Sequence, residues 1–219
     1  MERLKKLYQL NSVFFNCIIC WLLVISILVC CLPRIQAFQL INSQHSLAAD
    51  YFFTVITQFG DGIFVIVLAL LLFFVSSRRL GLAIAVTYIG SGLICSLLKR
   101  TFKAFRPAYY LKDDPDFHSV SWLKLAHHNA FPSGHTTSAF ALACAIAIFA
   151  KNKTWGLIAF PLAALTAYSR VYLGQHFIDD VWFGSMLGTS FTCLYALTLQ
   201  FTAEKKLSSA SFIPPSFKL

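Results

Sequence analysis

Ser169-Arg170-Val171-Tyr172-Leu173-Gly174-Gln175-His176-Phe177-Ile178-Asp179-Asp180 forms a polar island between two long apolar segments, Trp155 to Ala167 and Val181 to Leu199. Polar groups held at a membrane boundary in this way usually carry function. A helix beginning near Gln175 would place His176 and Asp180 at i and i+4 on one face, close enough for the carboxylate to hold the imidazole in one tautomer. Such a pair is a nucleophile or base with its orienting partner. The same residues also read as an interfacial arginine, a histidine and a solvated acid pair that cap a helix. Other segments decide between the two readings.

Outward from that island the chain is strongly apolar. Of its 219 residues 58% are hydrophobic and 12% charged, with 22 Phe and a mean hydropathy of +0.68; soluble proteins carry roughly 25% charged residues. This composition belongs to an integral membrane protein. The formal net charge is +9, but the basic residues are split among chain ends, short loops and one polar region. No long basic run tracks a nucleic acid, so the charge reads as topology plus a site for an anion. The seven cysteines lie in or beside apolar runs, with no CxxC next to His or acidic ligands. They read as small buried hydrophobes, not as a disulfide framework or a zinc site.

Hydropathy divides the chain into spans at about 13–31, 52–75, 80–98, 134–150, 154–170 and 178–200. The fourth and fifth reach bilayer length only with their polar ends included. The expected fold is all-α: a polytopic helical bundle with six transmembrane helices, in one membrane domain over residues 1–219. Leu32-Pro33-Arg34 supplies no small-residue cleavage site, so the first segment reads as an uncleaved span. Gly60-Asp61-Gly62 interrupts the second, and a turn or helix cap is the better reading of Asp61 than a functional acid. The basic N-terminus, Arg78-Arg79, Lys151 to Lys153 and Lys205-Lys206 put both termini in the cytoplasm. Pro214-Pro215 suggests a frayed tail.

This topology gathers distant polar residues on one membrane face. The end of span three, the start of span four, the end of span five and the start of span six all lie on the non-cytoplasmic side. They carry Lys99 and Arg106, Ser133 and His135, Arg170, and His176 with Asp180. If the third helix continues past the membrane until Pro107, Lys99 and Arg106 stack two turns apart on one face and suit a phosphate. The competing reading is a basic collar of Lys99, Arg100, Lys103 and Arg106 for anionic headgroups. Outer positive charge runs against the usual topology unless it has a task. In Phe131 to Ser138, Ser133 is a plausible N-cap, Gly134 lets an anion approach the backbone, and the free N–H groups of a helix start favour negative charge. His135 is placed to give or take a proton there.

Three motifs now stand in order: Lys-x6-Arg-Pro from Lys99 to Pro107, Pro-Ser-Gly-His from Pro132 to His135, and Ser-Arg-x5-His-x3-Asp from Ser169 to Asp180. Together they resemble the three-part signature of the type 2 phosphatidic acid phosphatase superfamily, which also includes the vanadium haloperoxidases. The membrane branch of that family is similar in its layout of six spans. The resemblance implies that His176 attacks phosphorus to form a phosphohistidine, with Asp180 orienting it. It implies that His135 protonates the leaving oxygen and then helps a water hydrolyse the intermediate. Lys99, Arg106, Ser133, the backbone of Gly134 and Arg170 would hold the phosphoryl oxygens. Asp179, at i+3 from His176, could also reach the ring, and the family spacing selects Asp180. The implied chemistry uses no metal or other cofactor. Asp113, Asp114 and Asp116, the one dense acidic group, read as a solvated turn. His118, His127 and His128 read as headgroup contacts or as uncoordinated surface histidines.

The expected partners are a lipid phosphate and the membrane, with the site on the periplasmic face of a bacterial inner membrane. Undecaprenyl diphosphate, phosphatidylglycerophosphate, phosphatidate and lipid A are all substrates of the family. An anion transporter would place charges or broken helices near mid-membrane, where Asp61 is the main candidate. A lipid-binding scaffold with a dead site is disfavoured by intact His135, His176 and Asp180.

Overall fold

The structure, a computed structural model, describes residues 2–210, with side chains through residue 200 and at 202. The expected Pro214-Pro215 tail lies outside the described residues, and Lys205-Lys206 outside the described side chains. Every regular element among the described residues is helical. In chain order these are α1 (Glu2–Leu10), α2 (Ser12–Cys31), α3 (Arg34–Asn42), α4 (Leu47–Ile56), a 3-10 turn (Thr57–Gly60), α5 (Gly62–Val75), α6 (Arg78–Phe102), α7 (Pro107–Tyr110), α8 (Gly134–Phe149), α9 (Thr154–Tyr172) and α10 (Ile178–Ala210).

α8 is the axis of the bundle, and α6, α9 and α10 pack around it. Its sequence explains why. Ala139, Ala141, Ala143, Ala145 and Ala147 are buried on every side of the helix, and small residues let neighbouring backbones come close. Gly188 of α10 takes up that closeness: a Cβ there would stand 2.8 Å from the backbone nitrogen of Ala141. α2 is the opposite case. It buries Phe14, Ile18 and Ile25 and leaves Ile19, Leu23, Val24 and Ile27 exposed. α5 likewise exposes Ile66, Val67, Leu70, Leu71 and Phe74. An apolar outer belt on this scale marks contact with lipid.

Two helical stretches, α2 and Arg78–Tyr110, which contains α6, are long and apolar enough to cross a bilayer. The pair Leu47–Gly60 and Gly62–Val75 makes a third if it is one span bent by 56°. The second apolar segment is therefore a broken helix, split where Asp61 caps α5 by accepting from the N–H of Ile63 at 2.8 Å. The cap reading of Asp61 stands. The cysteine reading holds for Cys95 and Cys144, which are buried; Cys20, Cys30 and Cys31 are exposed on α2, and all seven are free thiols.

The stretch after the first span folds into α3 and α4, which pack against α9. Asn42 pins them there. Its Nδ2 donates to the carbonyls of Tyr172 at 2.8 Å and His118 at 2.9 Å, and its Oδ1 accepts from the His118 N–H. Asp50 accepts from the Tyr172 hydroxyl and pairs with His118, each at 2.7 Å. His118 is thus tied internally, clamping the long connection after α7 to α3 and α4. Asp114 accepts from Gln39, and Asp116 closes a turn on Asp114, in keeping with a turn reading of the acidic group.

Candidate active site

The site grows out of the connection between α9 and α10. Arg170 lies in the last turn of α9, and its carbonyl accepts from the N–H groups of both Gln175 and His176, at 3.0 and 3.1 Å. The chain must reverse within a few residues to do this. Gly174 permits it with φ +69°, a left-handed conformation that side chains resist. α10 begins at Ile178, so His176 precedes the helix instead of standing on its face as expected. The pairing survives the change. Asp180 Oδ2 lies 3.3 Å from His176 Nδ1 and accepts from the Phe177 N–H at 3.0 Å. An ionised carboxylate only accepts, so it places the ring proton on Nδ1 and leaves the Nε2 lone pair free. Asp179 is turned elsewhere: Arg34 grips it at 2.9 Å.

The second motif is tied to the third by backbone, the N–H of Ser133 donating to the Asp180 carbonyl at 3.0 Å. Ser133 caps α8, accepting on Oγ from the Thr136 hydroxyl at 2.9 Å. Gly134 follows with open space: a Cβ would meet Lys99 Cε at 3.9 Å, so the lysine stem passes over the helix start. His135 is one-third exposed, and its Nε2 lies 4.0 Å from Asp61 Oδ2.

The first motif departs from its expected shape. α6 ends at Phe102 because Lys103 adopts a left-handed conformation, φ 47°, and Arg106 lies beyond the helix as the cap of α7. Lys99 and Arg106 therefore do not stack along one helix. The long connection brings them together instead, offering a row of carbonyls. Lys99 Nζ donates to Asn129 at 2.7 Å, and Arg106 Nε donates to His128 at 3.0 Å. Arg106 Nη1 donates to both oxygens of Gln175, at 3.0 and 3.1 Å. His127 and His128 serve here through their backbones. Both cations keep further N–H groups for a ligand, since a lysine has three and an arginine five.

Arg170 completes the ring of cations. It is buried, its Nη1 donates to Thr57 Oγ1 at 2.7 Å, and its Nε has no partner. A buried guanidinium with an idle donor is costly unless an anion comes to it. All these charges act on His176. Burial first, then the charges of Arg106, Arg170, Lys99 and His135, hold its imidazole well below the ordinary value of 6.5, in the neutral form. The eight residues expected from sequence thus adjoin one another. Thr57, Asp61 and Arg34 join them from outside the three motifs, and Gln175 from a variable position within the third. Arg34 had one sequence signal, a positive charge just outside the first span. Among the described residues no three His, Cys, Asp or Glu side chains are grouped as metal ligands.

A family model described as the PAP2 superfamily matches residues 80–204, more than half of the chain. The chain is 30% identical over 155 residues to a lipid A 4'-phosphatase of Porphyromonas gingivalis, covering 66% of this chain and 63% of that protein. It is 31% identical over 148 residues to phosphatidylglycerophosphatase B of Bacillus subtilis, covering 62% of this chain and 68% of that protein. The crystal structure of Aquifex aeolicus LpxE superposes with a TM-score of 0.65 at 28% identity, covering 74% of this chain and 93% of that one. The similarity to the Porphyromonas relative thus spans a little under two thirds of that protein's length.

Proposed function

This chain belongs to the PAP2 superfamily, and from that premise we propose that it is a metal-independent membrane lipid phosphatase working through a phosphohistidine at His176. The observation that carries the reading is the buried, neutral His176, with Nδ1 on Asp180 and the charges of Lys99, Arg106 and Arg170 acting on the ring. Neutral imidazole is the nucleophilic form, and fixed positive charge is what phosphoryl transfer needs most.

In this mechanism Lys99, Arg106 and Arg170 hold the phosphoryl oxygens, with the Ser133 hydroxyl and the backbone N–H of Gly134 completing the cradle at the start of α8. The Nε2 lone pair attacks phosphorus as the bond to the lipid oxygen breaks, and His135 gives that oxygen its proton. The proton on Nδ1 stays against Asp180, which stabilises the cationic phosphohistidine. His135, now neutral, takes a proton from water as the water oxygen attacks phosphorus. The P–N bond breaks, phosphate leaves, and His176 regains its lone pair. Asp61 Oδ2 lies 4.0 Å from His135 Nε2, and the phosphoryl group itself brings the negative charge that favours the protonated form the first step requires.

The substrate is an anionic lipid with a terminal phosphate, of the undecaprenyl diphosphate, phosphatidylglycerophosphate, phosphatidate or lipid A class. Relatives named for lipid A and for phosphatidylglycerophosphate support that range. We take residues 1–219 as one domain with six spans, counting the bent pair as one and α8, α9 and α10 as three. Both termini then lie in the cytoplasm, and the site opens to the periplasmic side of a bacterial inner membrane. Phosphate release by purified protein in chelator, across those four lipids and with His176→Ala alongside, tests the reading. Release that depends on His176 and survives the chelator is expected. Release undiminished in His176→Ala, or none from any lipid by folded protein, would refute it.

A further inference from the structure

Arg34 opens α3 immediately after Pro33, far in sequence from the three motifs. Its guanidinium grips Asp179 at two points, Nε donating to Oδ1 and Nη2 lying against Oδ2, both at 2.9 Å. Nη2 also reaches Asp180 Oδ1 at 3.4 Å. The guanidinium carbon sits 4.0 Å from the centroid of the Phe177 ring. One arginine thus touches three of the four residues that follow His176.

We propose that Arg34 is a positioning residue for the reaction, acting through Asp180 to keep that carboxylate charged and aimed at His176 Nδ1. The inference rests on the phosphohistidine reading above. Asp180 has no exposed side-chain surface, and its two oxygens divide their work. Oδ2 takes the His176 ring and the Phe177 N–H, and Oδ1 takes Arg34. The neighbouring carboxylate of Asp179 is a like charge. Two adjacent carboxylates, one of them buried, repel until one binds a proton. A protonated Asp180 would no longer hold the Nδ1 proton or stabilise a cationic ring.

Besides Asp179 and Arg34, Asp180 faces the neutral ring of His176 and the cations Lys99 and Arg106. Lys99 and Arg106 turn to the substrate when a phosphoryl group arrives, and their charge is then shared with its oxygens. Arg34 is already committed to Asp179 and Asp180, so its charge stays with the dyad throughout turnover. Its side chain is 39% exposed, so the pair adds little to stability on its own. Its weight falls on geometry.

The test uses full-length protein in detergent and the lipid of the four-member panel that it hydrolyses fastest. Arg34→Ala, Arg34→Lys, Asp179→Asn and the double variant Arg34→Ala/Asp179→Asn are compared with His176→Ala as the inactive reference. Misplacing a reacting group by about 1 Å costs about 100-fold, and kcat of Arg34→Ala is expected to fall about 10- to 100-fold while KM stays within about threefold. The acid limb of its kcat profile moves to higher pH. Asp179→Asn added to Arg34→Ala removes the like charge, returns part of the rate and shifts the limb back; Arg34→Lys falls between. Unchanged kcat and pH limb in both Arg34→Ala and Arg34→Lys, beside an inactive His176→Ala, would overturn the inference alone. A rise in KM with kcat intact would also overturn it, by making Arg34 a substrate contact. If Arg34→Ala does not fold, Arg34→Lys and the double variant decide by the same readouts. An active His176→Ala would bring down the phosphohistidine reading and this inference with it.

Discussion

Gly60→Ala perturbs the site from a helix break that none of the three motifs includes. Gly60 ends the 3-10 turn between α4 and α5 and lies against the first turn of α8. A Cβ added there would stand 2.8 Å from Thr166 Cγ2 and 2.9 Å from the carbonyl carbon of His135, and closer still to the His135 oxygen. Carbon atoms in contact sit about 3.5–4.0 Å apart, so the two walls must separate by about 0.6–1.2 Å. Overpacking of this kind costs about 1–3 kcal/mol. The wall that moves includes the backbone of the proposed general acid, and displacement by about 1 Å is enough to cost about 100-fold in rate. Gly60→Ala is therefore expected to lower kcat about 10- to 100-fold together with a drop in the unfolding temperature in detergent. Gly92→Ala is the control. Nothing lies within 4 Å of a Cβ at Gly92, and alanine in a helix interior is favoured over glycine by about 1 kcal/mol. Wild-type kcat in Gly60→Ala would refute the claim that the broken second span positions His135.

Thr57→Val removes the oxygen that accepts from Arg170 Nη1 at 2.7 Å. A hydrogen bond to a charged group contributes about 1.5–3 kcal/mol, so kcat/KM is expected to fall about 10- to 100-fold, with Thr57→Ser restoring most of it. Asp180→Asn keeps the shape of the dyad but lets the amide donate to Nδ1, which inverts the ring tautomer; kcat should fall about 10³- to 10⁴-fold with a far-ultraviolet spectrum unchanged. The pH dependence of stability has a sign set by His176. Its proton affinity is depressed in the fold, so below about 6.5 the unfolded chain binds the proton more readily. Stability from this group is full above about pH 6.5 and lost as pH falls below it. Between about pH 7 and 5 the unfolding temperature should decline less steeply in His176→Gln than in wild type, and parallel slopes would contradict the buried neutral ring.

The membrane class, the convergence of polar ends and the order of the three motifs were legible because each depends on composition or on spacing along the chain. Local geometry was less so. Lys99 and Arg106 fit a continuous helix by number, yet Lys103 turns left-handed and the cations meet through carbonyls of Asn129 and His128, which carry no side-chain signature. His176 and Asp180 fit an i, i+4 helical pair, yet the contact forms across a helix start. The residues that sequence reasoning passed over, Thr57 and Arg34, lie more than a hundred positions from the partners they serve. Only the folded chain brings them near. Asp61 caps α5, as a Gly-Asp-Gly break suggests, and the fold also brings its other oxygen to 4.0 Å from His135 Nε2, a proximity with no signal in the sequence.

The proposed chemistry turns on a covalent bond between phosphorus and His176 Nε2. Wild-type protein should be mixed with a substrate carrying a radiolabelled terminal phosphate, quenched in base within a turnover, and mapped by peptide mass. Label on the peptide containing His176 is expected, stable to alkali, labile to acid and absent from His176→Ala. Label on another residue, or rapid turnover with no labelled peptide under conditions that preserve phosphohistidine, would contradict the account.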